Sequence, residues 1–282
     1  MLKKLKSPHI LFSGVLFLSG MIILLYPYVS NLVASRNASQ VVKSYEDEVK
    51  NMEAEKIDAA KEAARKYNEQ LSNVISVEEA QEEDTITYLD MVDAGMSMGY
   101  IVIPKIDVNL PIYSGIEEES LRRGVGHLEQ SSYPLGGEST HCALSAHRGL
   151  PSARLFTDLD KMEIGDVFTL TIIDRVLTYQ VDCIQTVEPE NIEPLYVVEG
   201  EDYCTLVTCT PYGVNSHRML VRGTRIENEK QLSDIRVTAD AALIDPLLVA
   251  PFVAAPILLV LFILLMIPKP KKNRRGDLCK KS

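Results

Sequence analysis

Two uncharged apolar runs, one near each end of the chain, constrain its architecture more than any other feature. Ile10 to Tyr26 covers seventeen residues without a charge, and Leu247 to Ile267 covers twenty-one. A helix that crosses a bilayer needs roughly 17–25 predominantly apolar residues. Lys3, Lys4 and Lys6 precede the first run, and Lys269, Lys271, Lys272, Arg274 and Arg275 follow the second. Positive flanks stay on the cytoplasmic side. Two spans then put both termini inside and residues 28–246 outside. Tyr26 and Tyr28 fall where an interfacial aromatic belt belongs. The first run exceeds the ~7–15 residue apolar core of a cleavable signal, and no A-x-A site follows it. It reads as an uncleaved anchor. Length and the basic tail argue against a buried core helix for the second run, and Pro251 and Pro256 are tolerable inside a membrane helix.

Charge follows the same division. The 282 residues carry a net charge of -10. Because both ends are basic, all the excess acid lies in the outer portion, which argues against a nucleic-acid partner. Hydrophobic residues at 46% and charged residues at 24% are a globular balance,.

Within the outer portion the period changes once. Residues 38–75 read as helix, with Val42, Tyr45, Val49 and Met52 at spacings of three and four,. Ile57, Ala60, Ala64, Tyr67 and Leu71 share a second face. No Gly or Pro separates the two, so one long helix and a hairpin both fit, and the segment reads as a solvated amphipathic spacer. From Tyr100 the period is two. GYIVIPKI, VNLPIY, THCALSAH, FTLTIID, VLTYQVDCIQTV, DYCTLVTC and RMLVRGTRI all read as strands,. A helical insert is expected over Pro151 to Met162, and another helical turn over Glu117 to Arg123. Seven or eight short strands with few helices predict a small closed β-barrel.

Four cysteines lie outside: Cys142, Cys183, Cys204 and Cys209. Cys142, Cys183 and Cys204 sit within apolar strand patterns, where a buried free thiol is common. Free thiols are therefore expected over disulfides. Cys209 instead ends the strand Thr205-Leu206-Val207-Thr208 and precedes the loop Thr210-Pro211-Tyr212-Gly213. A strand end holds a nucleophile rigidly while a loop leaves it accessible. His147 also ends a strand, and Arg218 begins one. A thiol needs a nearby base or cation to become a thiolate. A metal reading would use His141, Cys142, His147, Cys204 and Cys209. Cys142 and His147, like Cys204 and Cys209, are five apart, which puts each pair on opposite faces of a regular strand. No C-x-x-C is present, so no metal site is expected.

At these residues the chain resembles a family. Thr205-Leu206-Val207-Thr208-Cys209-Thr210-Pro211-Tyr212-Gly213-Val214-Asn215-Ser216-His217-Arg218 resembles the active-site strand and following loop of sortases, written TLxTC followed by R. Ser145-Ala146-His147-Arg148-Gly149-Leu150-Pro151 is similar to the family's catalytic-His segment, which usually has Thr at the Ala146 position. Gly99-Tyr100-Ile101-Val102-Ile103-Pro104-Lys105-Ile106 is similar to its first barrel strand. The resemblance implies a mainly β, closed eight-stranded barrel with short helices, an N-terminal helical segment and two flanking transmembrane helices. It implies a membrane-anchored cysteine transpeptidase of Gram-positive bacteria, with Cys209 as nucleophile, His147 as general acid/base and Arg218 steadying the oxyanion. It places Thr208 beside the substrate and implies no cofactor and no metal. The partners implied are pilin or surface-protein substrates bearing a C-terminal sorting signal.

The wording from Cys209 to Arg218 and the second span resemble class C, the pilin polymerases, whose acceptor is a Lys amine. Class C members often carry a lid with an Asp-Pro-aromatic motif. Here Tyr88-Leu89-Asp90-Met91-Val92-Asp93 has neither the Pro nor an aromatic after either Asp, so Asp90 and Met91 stand equally as a reduced lid or a plain connector. Attachment of surface proteins to a peptidoglycan precursor is the alternative reaction, and an inactive surface domain is a third reading. The segments are then 1–9 basic terminus, 10–27 anchor, 28–96 helical segment and connector, 97–228 catalytic barrel, 229–246 linker, 247–267 second span and 268–282 basic tail.

Overall fold

The computed structural model describes residues 8–74, 87–88, 97–228, 254, 256–260 and 262. The chain divides into two compact units, Met1–Tyr26 with Leu243–Ser282, and Pro27–Ala242. In the first, Phe17 and Phe262 stack with ring centroids 4.4 Å apart. Most of the second apolar run lies outside the described residues. Those of its residues that are described are helical. Asp90 and Met91 also lie outside the described residues.

Helix α1 runs Pro8–Asn51 and helix α2 runs Ala54–Val74. The first apolar run therefore continues into the amphipathic segment as one helix, with Pro27 inside it. It is the one helix among the described residues long and apolar enough to cross a membrane, with a mean hydropathy of 1.9 in its apolar stretch. The break between α1 and α2 falls at Met52 and Glu53, where the Glu53 carbonyl accepts from the amides of Lys56 and Ile57 and opens the new helix.

Eight strands follow: β1 Ser97–Ile103, β2 Val108–Ser114, β3 Val125–His127, β4 Thr140–Ser145, β5 Val167–Ile172, β6 Arg175–Val187, β7 Asp202–Thr210 and β8 His217–Ile226. They close into a barrel in the order β1-β2-β3-β4-β7-β8-β6-β5. Pairings β2/β3 and β4/β7 are parallel and the others antiparallel. The two-residue period turns Ile101 and Ile103 of β1, Phe168 and Leu170 of β5 and Leu206 of β7 into a sealed interior,. Helix α3, Glu118–Arg123, bridges β2 and β3 as expected. The insert at Pro151 to Met162 is not a helix. It is a run of turns ending in a 3-10 turn at Leu159–Lys161. Its apolar spacing arises because Leu155, Phe156, Leu159 and Met162 are each packed into the core from an irregular path.

The helices are not a solvated spacer, for polar tips dock them on the barrel. The Tyr45 hydroxyl donates to the Met98 carbonyl at 2.8 Å and accepts from the Ile173 amide at 2.6 Å. Burial pushes that hydroxyl up to about 12, so it remains a donor at every working pH. From α2, Asn68 donates to the Tyr133 carbonyl at 3.0 Å and accepts from the Tyr133 amide at 2.7 Å. Ala64 and Tyr67 bury themselves beside it. Removing one partner of a buried hydrogen bond leaves the other unmet, at a cost of about 1–3 kcal/mol. Tyr45→Phe is expected to lose stability in that range in chemical denaturation, while an exposed control such as Lys50→Ala stays within about 0.5 kcal/mol of wild type.

Candidate active site

Strand β7 carries Cys209 between two neighbours that bring the other candidates to it. On one side β7 and β8 are antiparallel, and Cys209 is directly opposite Arg218. On the other side β4 and β7 are parallel, with Ser145 beside Val207. Two residues further along both chains come His147 and Cys209. The barrel thus gathers at one end three residues that are up to 71 positions apart in sequence.

The path of the His147 loop is fixed by its main chain. The Ala146 amide donates to the Val207 carbonyl at 3.2 Å, and the His147 carbonyl accepts from the Phe156 amide at 3.1 Å. The Thr208 hydroxyl donates to the Ala146 carbonyl at 2.8 Å. Thr208 is 1% exposed. Its side chain braces the residue before His147. Arg148 donates to Thr210 at 3.2 Å and pairs with Asp160 at 2.5 Å. Gly149 has φ +84, and a Cβ there would meet the Tyr212 ring at 2.9 Å. Only glycine suits both the left-handed turn and that close approach.

Cys209 is half-buried. Arg218 donates to the main-chain carbonyls of Asn215 and His217 at 3.3 and 3.2 Å. Among the described residues its guanidinium has no carboxylate partner. Cys142, Cys183, Cys204 and Cys209 are free thiols. Cys142 and Cys204 face each other across β4 and β7 and are buried. Burial pushes the Cys204 thiol well up, which keeps it protonated and inert,.

Of the five candidate metal ligands, His141 is already committed. Its Nδ1 meets the Tyr196 carbonyl at 2.9 Å and its Nε2 meets the Thr205 hydroxyl at 2.7 Å. It ties the β6–β7 connection to β4. One residue beside the site was absent from the sequence candidates. Glu118 of α3 places Oε2 3.4 Å from His147 Nε2. Nothing in its local sequence marks it, because the contact depends on where α3 is carried.

A protein-family model described as the sortase domain matches residues 101–226. Sortase C of Streptococcus pneumoniae has a similar solved structure, with 45% identity over 67% of this chain and 97% of that one, at a TM-score of 0.60. Sortase C of Clostridium perfringens, solved with the C-terminal cell wall sorting motif, gives 41% identity over 67% of this chain and all of that one, at a TM-score of 0.61. Sortase A of Streptococcus agalactiae is 34% identical over 40% of this chain, and the match spans 47% of its length.

Burial holds His141 below its ordinary value near 6.5. The unfolded chain therefore takes up a proton at pH values where the folded chain does not. This stabilising contribution is complete above about pH 6.5 and is lost as pH falls toward the depressed folded value, at up to about 1.4 kcal/mol per pH unit. His141→Asn is expected to be less stable at pH 7 but to lose less melting temperature between pH 7 and pH 5 than wild type, as read by thermal denaturation.

Proposed function

We propose that this chain, which belongs to the sortase family of cysteine transpeptidases, cuts a C-terminal sorting signal between Thr and Gly and joins the new acyl group to a Lys amine of a pilin subunit. The observation that carries the reading is the in-register pair of Cys209 and Arg218 with the His147 loop clamped alongside.

In the first half-reaction the Cys209 thiolate attacks the Thr carbonyl carbon. The oxyanion of the tetrahedral intermediate needs a preorganised donor. Arg218, with its planar fork of donors, supplies one. The C–N bond to Gly breaks as the His147 imidazolium gives its proton to the leaving amine. A thioester on Cys209 remains. In the second half the Lys amine attacks that thioester, His147 takes the proton back, and the C–S bond breaks to restore the thiolate. An amide bond has replaced an amide bond, so no cofactor is required.

The pilin acceptor is supported by class C neighbours that are 41–45% identical, one of which is described in terms of pilin substrate specificity. Membrane attachment is supported by α1. A second span at 247–267 rests on its apolar length and basic flank. With both termini cytoplasmic, the barrel stands outside, where membrane-delivered substrates arrive.

The test is to place the full-length enzyme in lipid vesicles with a pilin carrying its sorting signal. A ladder of covalent polymers is the expected product. Transfer to a peptidoglycan-precursor amine with no ladder would move the chain to wall anchoring. Cys209→Ala is expected to abolish the thioester adduct seen by mass spectrometry with a sorting peptide, while Cys183→Ala keeps it. An adduct persisting in Cys209→Ala refutes the nucleophile. Arg218→Lys is expected to lose on the order of a hundredfold in turnover with its melting temperature unchanged. A loss of only a few-fold would mean that Arg218 is not an oxyanion donor.

A further inference from the structure

His147 has one ring nitrogen that its own loop does not serve. Nε2 is buried and has no hydrogen-bond partner. The nearest charged group is the Glu118 carboxylate, whose Oε2 is 3.4 Å away, within ion-pair reach but not aligned as a hydrogen bond. The fold brings the two together by a short route. Helix α3 leads through Gly124 directly into β3, and β3 pairs with the end of β4 through Gly126 opposite Ser145, two residues before His147. Glu118, in the first turn of α3, is thereby delivered to the imidazole.

The carboxylate is itself aimed. Its other oxygen, Oε1, accepts from Arg122 Nε at 2.7 Å, one helical turn on. That hydrogen bond, with a smaller contribution from His147, holds the Glu118 carboxyl below its ordinary value. It is an anion at neutral pH. Other charged and titratable groups on the segments beside His147 are Arg148, paired with Asp160, and Cys209 and Arg218 on β7 and β8. Glu118 is the one among these that approaches a ring nitrogen as an ion pair.

We propose that Glu118 is a positioning residue for His147: its carboxylate, aimed by Arg122, takes the Nε2 edge of the imidazole, favours the protonated ring and leaves Nδ1 for proton transfer at Cys209. The chemistry asks for such a partner. Expelling an amine needs a proton on the ring, and a carboxylate on the far nitrogen both orients an imidazole and stabilises its cation. The inference rests on the acid/base role given to His147 above.

The experiment separates the two. His147 is titrated by NMR in the full-length protein, in a Cys209→Ala background that removes coupling to the thiol. No substrate is needed. Glu118→Gln keeps the shape and removes the charge. It is expected to lower the His147 midpoint by about half a pH unit, in the range of a partly exposed ion pair. Glu118→Asp keeps the charge and is expected to restore part of the shift. With Cys209 intact, the pH profile of thioester formation is expected to change in Glu118→Gln, its limbs belonging to the coupled Cys209–His147 pair. An unchanged or raised midpoint in Glu118→Gln overturns the proposal. A lowered midpoint in a protein that forms no thioester with any sorting peptide leaves the pairing standing and removes the transpeptidase reading instead. Glu118 is exposed on a short surface helix, so Glu118→Ala folds as well and should show the same sign.

Discussion

Strand β7 has a parallel neighbour on one side and an antiparallel neighbour on the other, and the site depends on that arrangement. Parallel pairing with β4 makes the two strands end together, so the loop that leaves β4 begins level with Cys209. Antiparallel pairing with β8 makes the next strand begin where β7 ends, so Arg218 lies opposite Cys209. A slip of one residue in either register would turn Cys209 or Arg218 to the other face of the sheet. The registers are held by the buried side chains beneath them, Leu144, Leu206 and Val221, all fully enclosed. Core packing thus sets the positions of Cys209 and Arg218.

The helices supply hydrogen bonds that the barrel cannot make alone. The Met98 carbonyl, the Ile173 amide and both main-chain groups of Tyr133 bond to α1 and α2. Tyr67 donates to the Glu129 carbonyl in the same way. Tyr88, just before the region of Asp90 and Met91, contributes a further core contact: its hydroxyl meets His127 at 2.8 Å. These are specific, buried contacts of polar tips on otherwise amphipathic segments. They tie the helical segment that leads from the apolar run to the barrel.

The strands were legible because their side chains alternate, and the alternation reports burial directly. Strand β3 escaped notice because Val125–His127 has three residues, too few to show a period, and all three are buried. Pro151 to Met162 misled in the other direction. Leu155, Phe156, Leu159 and Met162 recur at helical spacing, but Leu155 has φ +43 and Gly149 φ +84, so the chain turns out of the helical path while each apolar residue still finds the core. Spacing records which residues are buried, and a helix is only one way of burying them. Cys209 and Arg218 stood out through one long contiguous motif, and His147 through a second, shorter segment. Thr208 was legible as part of the first, though its task was not, since the brace on Ala146 exists only across two strands. Glu118 left no trace, because its contact is made by topology alone.

Two pairs of like residues show how the barrel divides structural from chemical duty. Cys204 and Cys209 lie on one strand, five residues apart, and so face opposite ways. The first is sealed at 0% exposure with its thiol held protonated by burial, while the second emerges at the strand end. His141 and His147 repeat the pattern at the two ends of β4. Both nitrogens of His141 are spent on Tyr196 and Thr205, and its buried ring is kept neutral. The Nε2 of His147 has no such bond among the described residues and lies 3.4 Å from a Glu118 carboxylate oxygen instead. A neutral, doubly bonded imidazole can neither give nor take a proton without breaking a contact. What sets Cys204 and His141 apart is therefore what the fold has already assigned to them, burial for the thiol and two hydrogen bonds for the imidazole.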